Sequence, residues 1–267
     1  MTEEDKINWL VPGGFPVLRP REIHLWCAWL GTDGGPGPEE LGCLSPAEIA
    51  RARSFHFAVD RQRFAVARRN LRHVLARYLG REPAALAFNC GRFGKPMLIH
   101  QATTISQLDP AASNLTFNQS HCGSLWLLAV AWNQPVGVDL EQVRDLSDLY
   151  LLEGKIFSAA ELPRQCSLPH PERRLAFFRR WTQREASAKF HGLGFDPSTT
   201  YVQPDNLELL SPATHYVGTL AYGGSPVHLH QFQWSDSLLH PPAPATVNTP
   251  SGLLSSPDRR MPVAAVN

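Results

Sequence analysis

The sequence predicts an α+β fold made of two similar α/β lobes. Three observations carry this expectation: a serine-capped helix start that occurs twice, a long helical stretch after each that stops at a glycine, and an apolar strand-like run ahead of each. In Ser45-Pro46-Ala47-Glu48 a hydroxyl stands at the N-cap, proline at the first helical position and glutamate three residues after the cap, which is the composition of a capping box. Ser158-Ala159-Ala160-Glu161 repeats the signal. Helical stretches over 61–79 and 172–191 run up to Gly80 and Gly192, the residue that adopts a left-handed C-terminal cap without steric cost. Cap and glycine are 35 residues apart in one unit (45 to 80) and 34 in the other (158 to 192). The strand runs are 23–30 and 136–140, and the offset from Trp26 to Ser45 equals that from Asp139 to Ser158, 19 residues. Equal spacing of unlike residues points to a duplicated unit. The expected division is an N-terminal lobe over 1–133 and a C-terminal lobe over 134–237, separated by the turn chemistry of Asn133-Gln134-Pro135. Residues 238–267, rich in proline, serine and alanine without amphipathic period, read as a flexible tail. A site shared by the lobes belongs in the cleft between them.

Composition narrows the function classes. With 43% hydrophobic residues and a formal net charge of +1, the chain buries a core and has no global attraction to nucleic acid. An anion site must therefore be local. The five cysteines, Cys27, Cys43, Cys90, Cys122 and Cys166, are odd in number and form no C-x-x-C pair, which suggests reduced thiols in a cytoplasmic protein rather than a disulfide framework or a cysteine zinc site. The start MTEEDKINWLVPGG is acidic and lacks a basic region ahead of an apolar stretch, so no signal peptide is expected. The apolar run 125–132 is too short to cross a bilayer, and no membrane partner is expected.

The chemistry concentrates in two segments. In Val136-Gly137-Val138-Asp139-Leu140-Glu141 apolar residues alternate with Gly137, Asp139 and Glu141, so a strand points both carboxylates to one face. A solvated edge strand is the plain alternative. The strong strand just before it argues for a position inside a sheet, where unpaired carboxylates are costly. On the helix 172–191, Trp181, Glu185 and Lys189 recur every four residues and share a face. A glutamate-to-lysine pair at that spacing often reflects surface helix support alone; the tryptophan on the same face argues for a covered stripe. Phe117-Asn118-Gln119-Ser120-His121 puts a hydroxyl and an imidazole at a strand or loop, where they suit phosphate contact and, as sequence neighbours, are poorly placed to be a nucleophile and its base. Gly91-Arg92-Phe93-Gly94-Lys95-Pro96 is a basic turn. Arg51, Arg53, Arg61, Arg63, Arg68, Arg69 and Arg72 make the first lobe's helices basic and are expected mostly at a solvated surface.

Taken in order, Ser45-Pro46 with Arg51 and Phe55, Phe93-Gly-Lys-Pro96, Phe117-Asn-Gln-Ser-His121, Gly137-Val-Asp-Leu-Glu141, Phe157-Ser158 with Glu161, and Trp181-Thr-Gln-Arg-Glu-Ala186 with Lys189 resemble the 4'-phosphopantetheinyl transferases of the surfactin-synthetase-activating (Sfp) type. The resemblance spans about residues 23–195 and rests on the ordered combination. It implies a monomer of two α/β halves related by pseudo-twofold symmetry, with coenzyme A and magnesium, or manganese in its place, in the cleft. It implies transfer of the 4'-phosphopantetheine arm of coenzyme A to a serine of an apo acyl or peptidyl carrier protein, with release of adenosine 3',5'-bisphosphate. By position, Asp139, Glu141 and Glu185 would hold the metal, and Arg51, Lys95, Ser120 and His121 would contact the nucleotide's phosphates. Lys189 would neutralise the pyrophosphate and Glu185 is the candidate base. Attack of a hydroxyl on a pyrophosphate does require charge neutralisation, alignment and a proton acceptor.

The chain departs from the family pattern at three positions. Glu48 stands where many members carry a basic nucleotide contact, which would be lost or would pass to Arg51 or Arg53. Cys122 replaces a common serine, and Arg184 replaces a frequent lysine. Two rival readings use the same residues: a pyrophosphohydrolase with water as nucleophile, and a nucleotide-binding module without catalysis. Segments 55–59 and 146–156 are the candidate carrier-docking surfaces, each with ordinary packing as its alternative.

Overall fold

The computed structural model describes residues 6–31, 37–91, 95–99, 114–193, 204–224 and 227–239. In chain order they form β1 (Glu22–Trp29), α1 (Pro46–Arg53), α2 (Ala58–Leu79), β2 (Phe88–Cys90), β3 (Pro96–Leu98), β4 (Leu115–Cys122), β5 (Leu125–Trp132), β6 (Val136–Gln142), α3 (Leu149–Ile156), α4 (Leu162–Cys166), α5 (His170–His191), β7 (Asn206–Leu210), β8 (Tyr216–Tyr222) and β9 (His228–Gln233). Arg92, Phe93 and Gly94 of the basic turn, and the expected tail from 240 onward, lie outside the described residues. No helix among the described residues is long and apolar enough to cross a membrane.

The strands form sheets of order β4-β5-β1-β9 and β6-β8-β7 and a small hairpin of β2 with β3. Apart from β9, the two large sheets share one plan. β1 and β6 each open their half and pair antiparallel with its closing strand, β5 or β8, which pairs antiparallel with the strand before it, β4 or β7. Between them run α2 and α5, each of 22 residues and each capped by a left-handed glycine, Gly80 (φ 60°) and Gly192 (φ 70°). The expected α+β fold of two similar lobes is what the topology shows.

Burial on both faces explains the unbroken apolar run of β5. Trp26 and Ala28 of β1 and Trp126, Leu128 and Val130 of β5 face Leu71, Val74 and Leu75 of α2. Their neighbours Ile23, Leu25, Cys27, Leu127 and Ala129 face Val136, Val138, Leu140 and Leu220 of the other sheet. With its apolar residues committed to that interface, β6 turns Gly137, Asp139 and Glu141 the other way by strand alternation.

Two expectations are corrected, and one strand crosses the division expected between the lobes. β9 lies within the span 134–237 expected to be the second lobe, yet it pairs in parallel along β1, Glu22 opposite His228 and His24 opposite His230. Phe232 and Trp234 pack on Trp26 at ring-centroid distances of 5.0 and 5.8 Å, so aromatic burial holds the strand on the first sheet.

The two serine signals also differ. At Ser45 both arms of the capping box form, Ser45 Oγ accepting from Glu48 N and Glu48 Oε2 accepting from Ser45 N at 2.9 Å. At Ser158 only the carboxylate arm forms: Glu161 Oε2 accepts from Ser158 N and from the Ser158 hydroxyl, each at 2.8 Å, and the hydroxyl caps no backbone N–H. The chain makes a turn and then the five-residue α4. Pro169 stands between α4 and α5, and Pro171 falls in the first turn of α5, because proline lacks the N–H that would continue the first helix and suits the first turn of the next.

The arginines of the first lobe are not uniformly solvated. The Arg72 side chain is 2% exposed. It donates to Glu48 Oε2 through Nε and to the carbonyls of Pro83 and Leu86 through Nη1, all at 2.8–2.9 Å, and lies over the Phe88 ring. A buried guanidinium with this many acceptors is satisfied, and α2 presents it toward α1 rather than to water. Glu48 thus caps α1 and pairs Arg72 with the same carboxylate. Arg53 pairs with Glu39, and Arg51 stacks on Phe55 and donates to Ser54 Oγ at 3.4 Å.

Glu48→Ala is expected to lower the unfolding free energy by about 3 kcal/mol, because it removes one partner of a buried ion pair together with a helix cap; denaturant melts against the parent chain measure this. Gly154 in α3 has nothing within 4 Å of the position a Cβ would take, so Gly154→Ala should raise stability by about 0.5–1 kcal/mol in the same melts.

Candidate functional site

The site forms where β4 and β6 come side by side. β6 bonds to β8 along one edge, and its other edge is sealed by side chains. Asn118 Oδ1 of β4 accepts from Val138 N at 2.7 Å, and Cys122 Sγ accepts from Gln142 N at 3.3 Å. Lys95 Nζ donates to Val136 O at 3.3 Å. Ser120 lies between Asn118 and Cys122 on the same face of β4 and donates to Asp139 Oδ1 at 3.0 Å. The two strands are thereby held a side chain's length apart.

α5 closes the site from the other side. A Cβ on Gly137 would come within 2.8 Å of Phe190 Cα and closer still to Ala186 O and Phe190 N, so the helix backbone lies directly against this glycine. Thr182 Oγ1 meets Thr219 Oγ1 at 2.9 Å, Thr219 being the ladder partner of Asp139. Lys95 Nζ also donates to Lys189 O at 2.6 Å, near the end of the helix. With α5 so fixed, Lys189 Nζ reaches Asp139 Oδ1 at 2.6 Å and Ser120 Oγ at 3.0 Å. Ser120, Asp139 and Lys189, expected in three separate roles, form one hydrogen-bonded triangle.

Glu141 and Glu185 complete the acidic face. Glu141 accepts from the Cys122 thiol at 3.2 Å. Burial raises its carboxyl above the usual range, and Asp139 adds to this. The Cys122 thiol, pushed up to about 11 by burial and then by Glu141, stays protonated and serves as the donor a serine would otherwise provide. Glu185 is half-buried on α5, and its carboxyl is pushed up to about 7 by burial first, then by Asp139 and Glu141, with Lys189 opposing.

The oxygen donors suit a hard divalent cation. Asp139 Oδ2 is buried with no hydrogen-bond partner, which is costly in the protein alone and is relieved by a cation. Asp139, Glu141 and Glu185 are the residues that could hold it, since magnesium takes carboxylate oxygens. They stand further apart than a preformed cage would. Among the described residues, the one three-donor group with all ligand atoms within 4.8 Å of one another is Glu22, His24 and His230, on the other side of the first sheet.

The remaining expected contacts are distributed differently. His121 points outward where Ser120 points inward. Desolvation around its ring lowers its pKa, and the cations Lys189, Arg63 and Arg68 lower it further. The Arg63 Nε is buried and without a hydrogen-bond partner; its place beside His121 was hidden among seven similar arginines. Lys95 is held to two backbone carbonyls, and burial followed by Lys189 pushes its amine down to about 8. Arg51 bonds within α1 and its C-cap. Arg184 donates to Lys155 O and Ile156 O at 3.1 Å each, fastening α3 to α5. Asn118 and Gly137 were not singled out; their signal was the alternation in Phe117-Asn-Gln-Ser-His and a glycine one strand period before Asp139.

Comparison with known proteins agrees with this geometry. Residues 39–133 match the model of the 4'-phosphopantetheinyl transferase N-terminal domain, and residues 135–236 match that of the 4'-phosphopantetheinyl transferase superfamily. The chain is 37% identical over 187 residues to the 4'-phosphopantetheinyl transferase HetI of Nostoc sp., a match covering 70% of this chain and 76% of that protein. It is 28% identical over 145 residues to the 4'-phosphopantetheinyl transferase psf-1 of Bacillus pumilus, covering 54% and 56% of the two chains. With the 4'-phosphopantetheinyl transferase of Bacillus subtilis it shares 24% identity over 155 residues, 58% and 62% of the two chains. The matches to the two Bacillus proteins thus span less than two thirds of their lengths. The duplicated topology, the carboxylate-bearing strand and the two family models agree: the chain belongs to the 4'-phosphopantetheinyl transferase superfamily and is an enzyme of that transferase family.

Proposed function

We propose that the chain transfers the 4'-phosphopantetheine arm of coenzyme A to a serine hydroxyl of an apo acyl or peptidyl carrier protein, with magnesium held by Asp139, Glu141 and Glu185, or manganese as the alternative, and with release of adenosine 3',5'-bisphosphate. It would do so as a cytoplasmic monomer. The observation that supports this most is the triangle of Ser120, Asp139 and Lys189 beside the unpartnered Asp139 Oδ2.

The metal would supply charge neutralisation for the pyrophosphate. The protein's own residues supply the rest. In the transfer a bond forms between the carrier's serine oxygen and the phosphorus bearing the pantetheine arm, as the bond from that phosphorus to the bridging oxygen breaks. The electron pair leaves with the nucleotide, and the serine proton needs an acceptor. Glu185 is our candidate for that role: without a metal its carboxyl is pushed up to about 7, and a cation held by the same group would draw it back down, so it would act as ligand and as a weaker base together. Lys189, fixed by two hydrogen bonds, offers its charge to the pyrophosphate without reorganisation. His121, neutral near pH 7, and Arg63, with an unused donor, suit the phosphates of the nucleotide. Lys95 and Arg51 contribute less in this reading, since their present partners lie within the protein.

Incubation with coenzyme A, magnesium and a panel of apo carrier proteins is expected to add the mass of one phosphopantetheine arm to a carrier, read by intact-protein mass spectrometry. Chelation should stop the labelling and added magnesium should restore it. Glu185→Gln should lower kcat by roughly 10²- to 10⁴-fold, the range for a general base. No mass gain on any carrier would sink the proposal, and nucleotide release without a carrier would favour the hydrolase instead. Gly137→Ala should lower stability by about 2 kcal/mol through overpacking against α5 and reduce labelling further than that loss accounts for, by separating Lys189 from Asp139.

A further inference from the structure

On the first sheet, away from the triangle, β1 and β9 gather groups that the transfer does not use. Glu22 and His24 lie two residues apart on one face of β1, and parallel pairing sets His230 of β9 opposite His24. One ligand atom from each falls within 4.8 Å of the other two. His24 Nε2 is 3.5 Å from Glu22 Oε2, and His230 Nε2 is 3.7 Å from Glu22 Oε1. Four-coordinate zinc with bonds of about 2.0–2.1 Å sets its ligand atoms roughly 3.3 Å apart, close to each of these two separations, which run to the two different oxygens of the Glu22 carboxylate. The two imidazole rings stand at 81° with centroids 5.3 Å apart.

The two donors on β1 are also held from behind. His24 Nδ1 is 2.7 Å from the Tyr78 hydroxyl, whose oxygen accepts from Trp26 Nε1 at 2.8 Å. Glu22 Oε2 accepts from Arg19 N at 2.8 Å. Partners of this kind orient metal ligands by fixing the ring or carboxylate that faces the ion. His24 and Glu22 are sheltered, their side chains 2% and 11% exposed, while His230 is 44% exposed and leaves a way in from solvent.

We propose that Glu22, His24 and His230 bind a divalent ion of the zinc type, with water as fourth ligand, and that the ion fastens β9 to β1. Two imidazoles and one carboxylate are a zinc donor set and a poor magnesium one, so this ion differs in kind from the one proposed at Asp139. Its place is the ladder where the C-terminal part of the chain rejoins the first sheet.

The full chain, stripped of metal by a chelator, is titrated with zinc chloride and followed by calorimetry and thermal unfolding, with cobalt(II) as a spectroscopic substitute. The expected result is one tight equivalent, and an unfolding midpoint raised by roughly 5 °C or more at a hundredfold excess over Kd. Cobalt(II) should give the visible absorption of a four-coordinate site without a thiolate charge-transfer band. His230→Gln, at an exposed position, and Glu22→Gln should each lose both signals while keeping the metal-free midpoint within a few degrees of the parent. Asp139→Asn should keep both signals. A thiolate band, an equal zinc response in the parent and in both variants, or no tight equivalent at all would overturn the proposal and leave a hydrogen-bonded cluster that needs no ion.

Discussion

The outer edge of β6 is the constraint on which the rest of the site depends. An edge strand has unpaired N–H and C=O groups that must be covered or paired. In this chain Asn118, Cys122 and Lys95 cover them with side chains. A strand bonded there by its backbone would lie too close for side chains to enter the seam. Side-chain sealing keeps the two sheets distinct and locked, and leaves a slot in which Ser120 of one half meets Asp139 of the other. Asn118 is 3% exposed, so its hydrogen bond to Val138 N satisfies a donor that water reaches poorly, and losing it would leave that N–H buried and unpaired.

A second constraint acts at right angles to the first. Glu185 and Lys189 can reach the strand only if α5 lies almost in backbone contact with it, and Gly137 is the residue that allows this. Thr182 and Thr219 set the height of the helix through a buried hydroxyl pair, and Lys95 ties the Lys189 carbonyl to the strand that carries Asp139. The arrangement explains why a cation is spent on backbone groups inside the protein. Its burial is costly, as the lowering of its amine toward 8 reflects, and two carbonyls offset part of that cost while fixing the geometry of the triangle.

Local signals were legible where local physics decides the outcome. Helix ends at Gly80 and Gly192, the Ser45 cap and the one-sided placement of Asp139 and Glu141 all follow from interactions within a few residues, and they appear as expected. The capping signal at Ser158 misled because the hydroxyl found the Glu161 carboxylate, an equally local partner that leaves the helix start uncapped. What the sequence hid was set by long-range packing. β9 reads like any polar-alternating strand, and only the aromatic surface of Trp26 assigns it to β1. Arg72 is indistinguishable from its neighbours until α1, the chain after α2 and Phe88 surround it. Arg63 and Arg68 were submerged in the same basic run, although two of the charges that act on His121 are theirs.

The charges of the site form a continuous series rather than isolated pairs. Arg63 acts on His121, His121 feels Lys189, Lys189 bonds Asp139, and Asp139 raises Glu185. At one end stands a buried guanidinium nitrogen without an acceptor, and within the acidic end a buried carboxylate oxygen without a donor. Buried polar atoms left in this state lower stability, and a fold retains them where a partner of the opposite sign supplies what the chain does not. The substrate we propose, phosphate-rich and accompanied by a divalent cation, would carry both signs, anion toward the arginine and histidine and metal toward the carboxylates. Within this series Asp139 is hydrogen-bonded to both Ser120 and Lys189, whereas the Glu185 carboxyl is raised by burial first and then by Asp139.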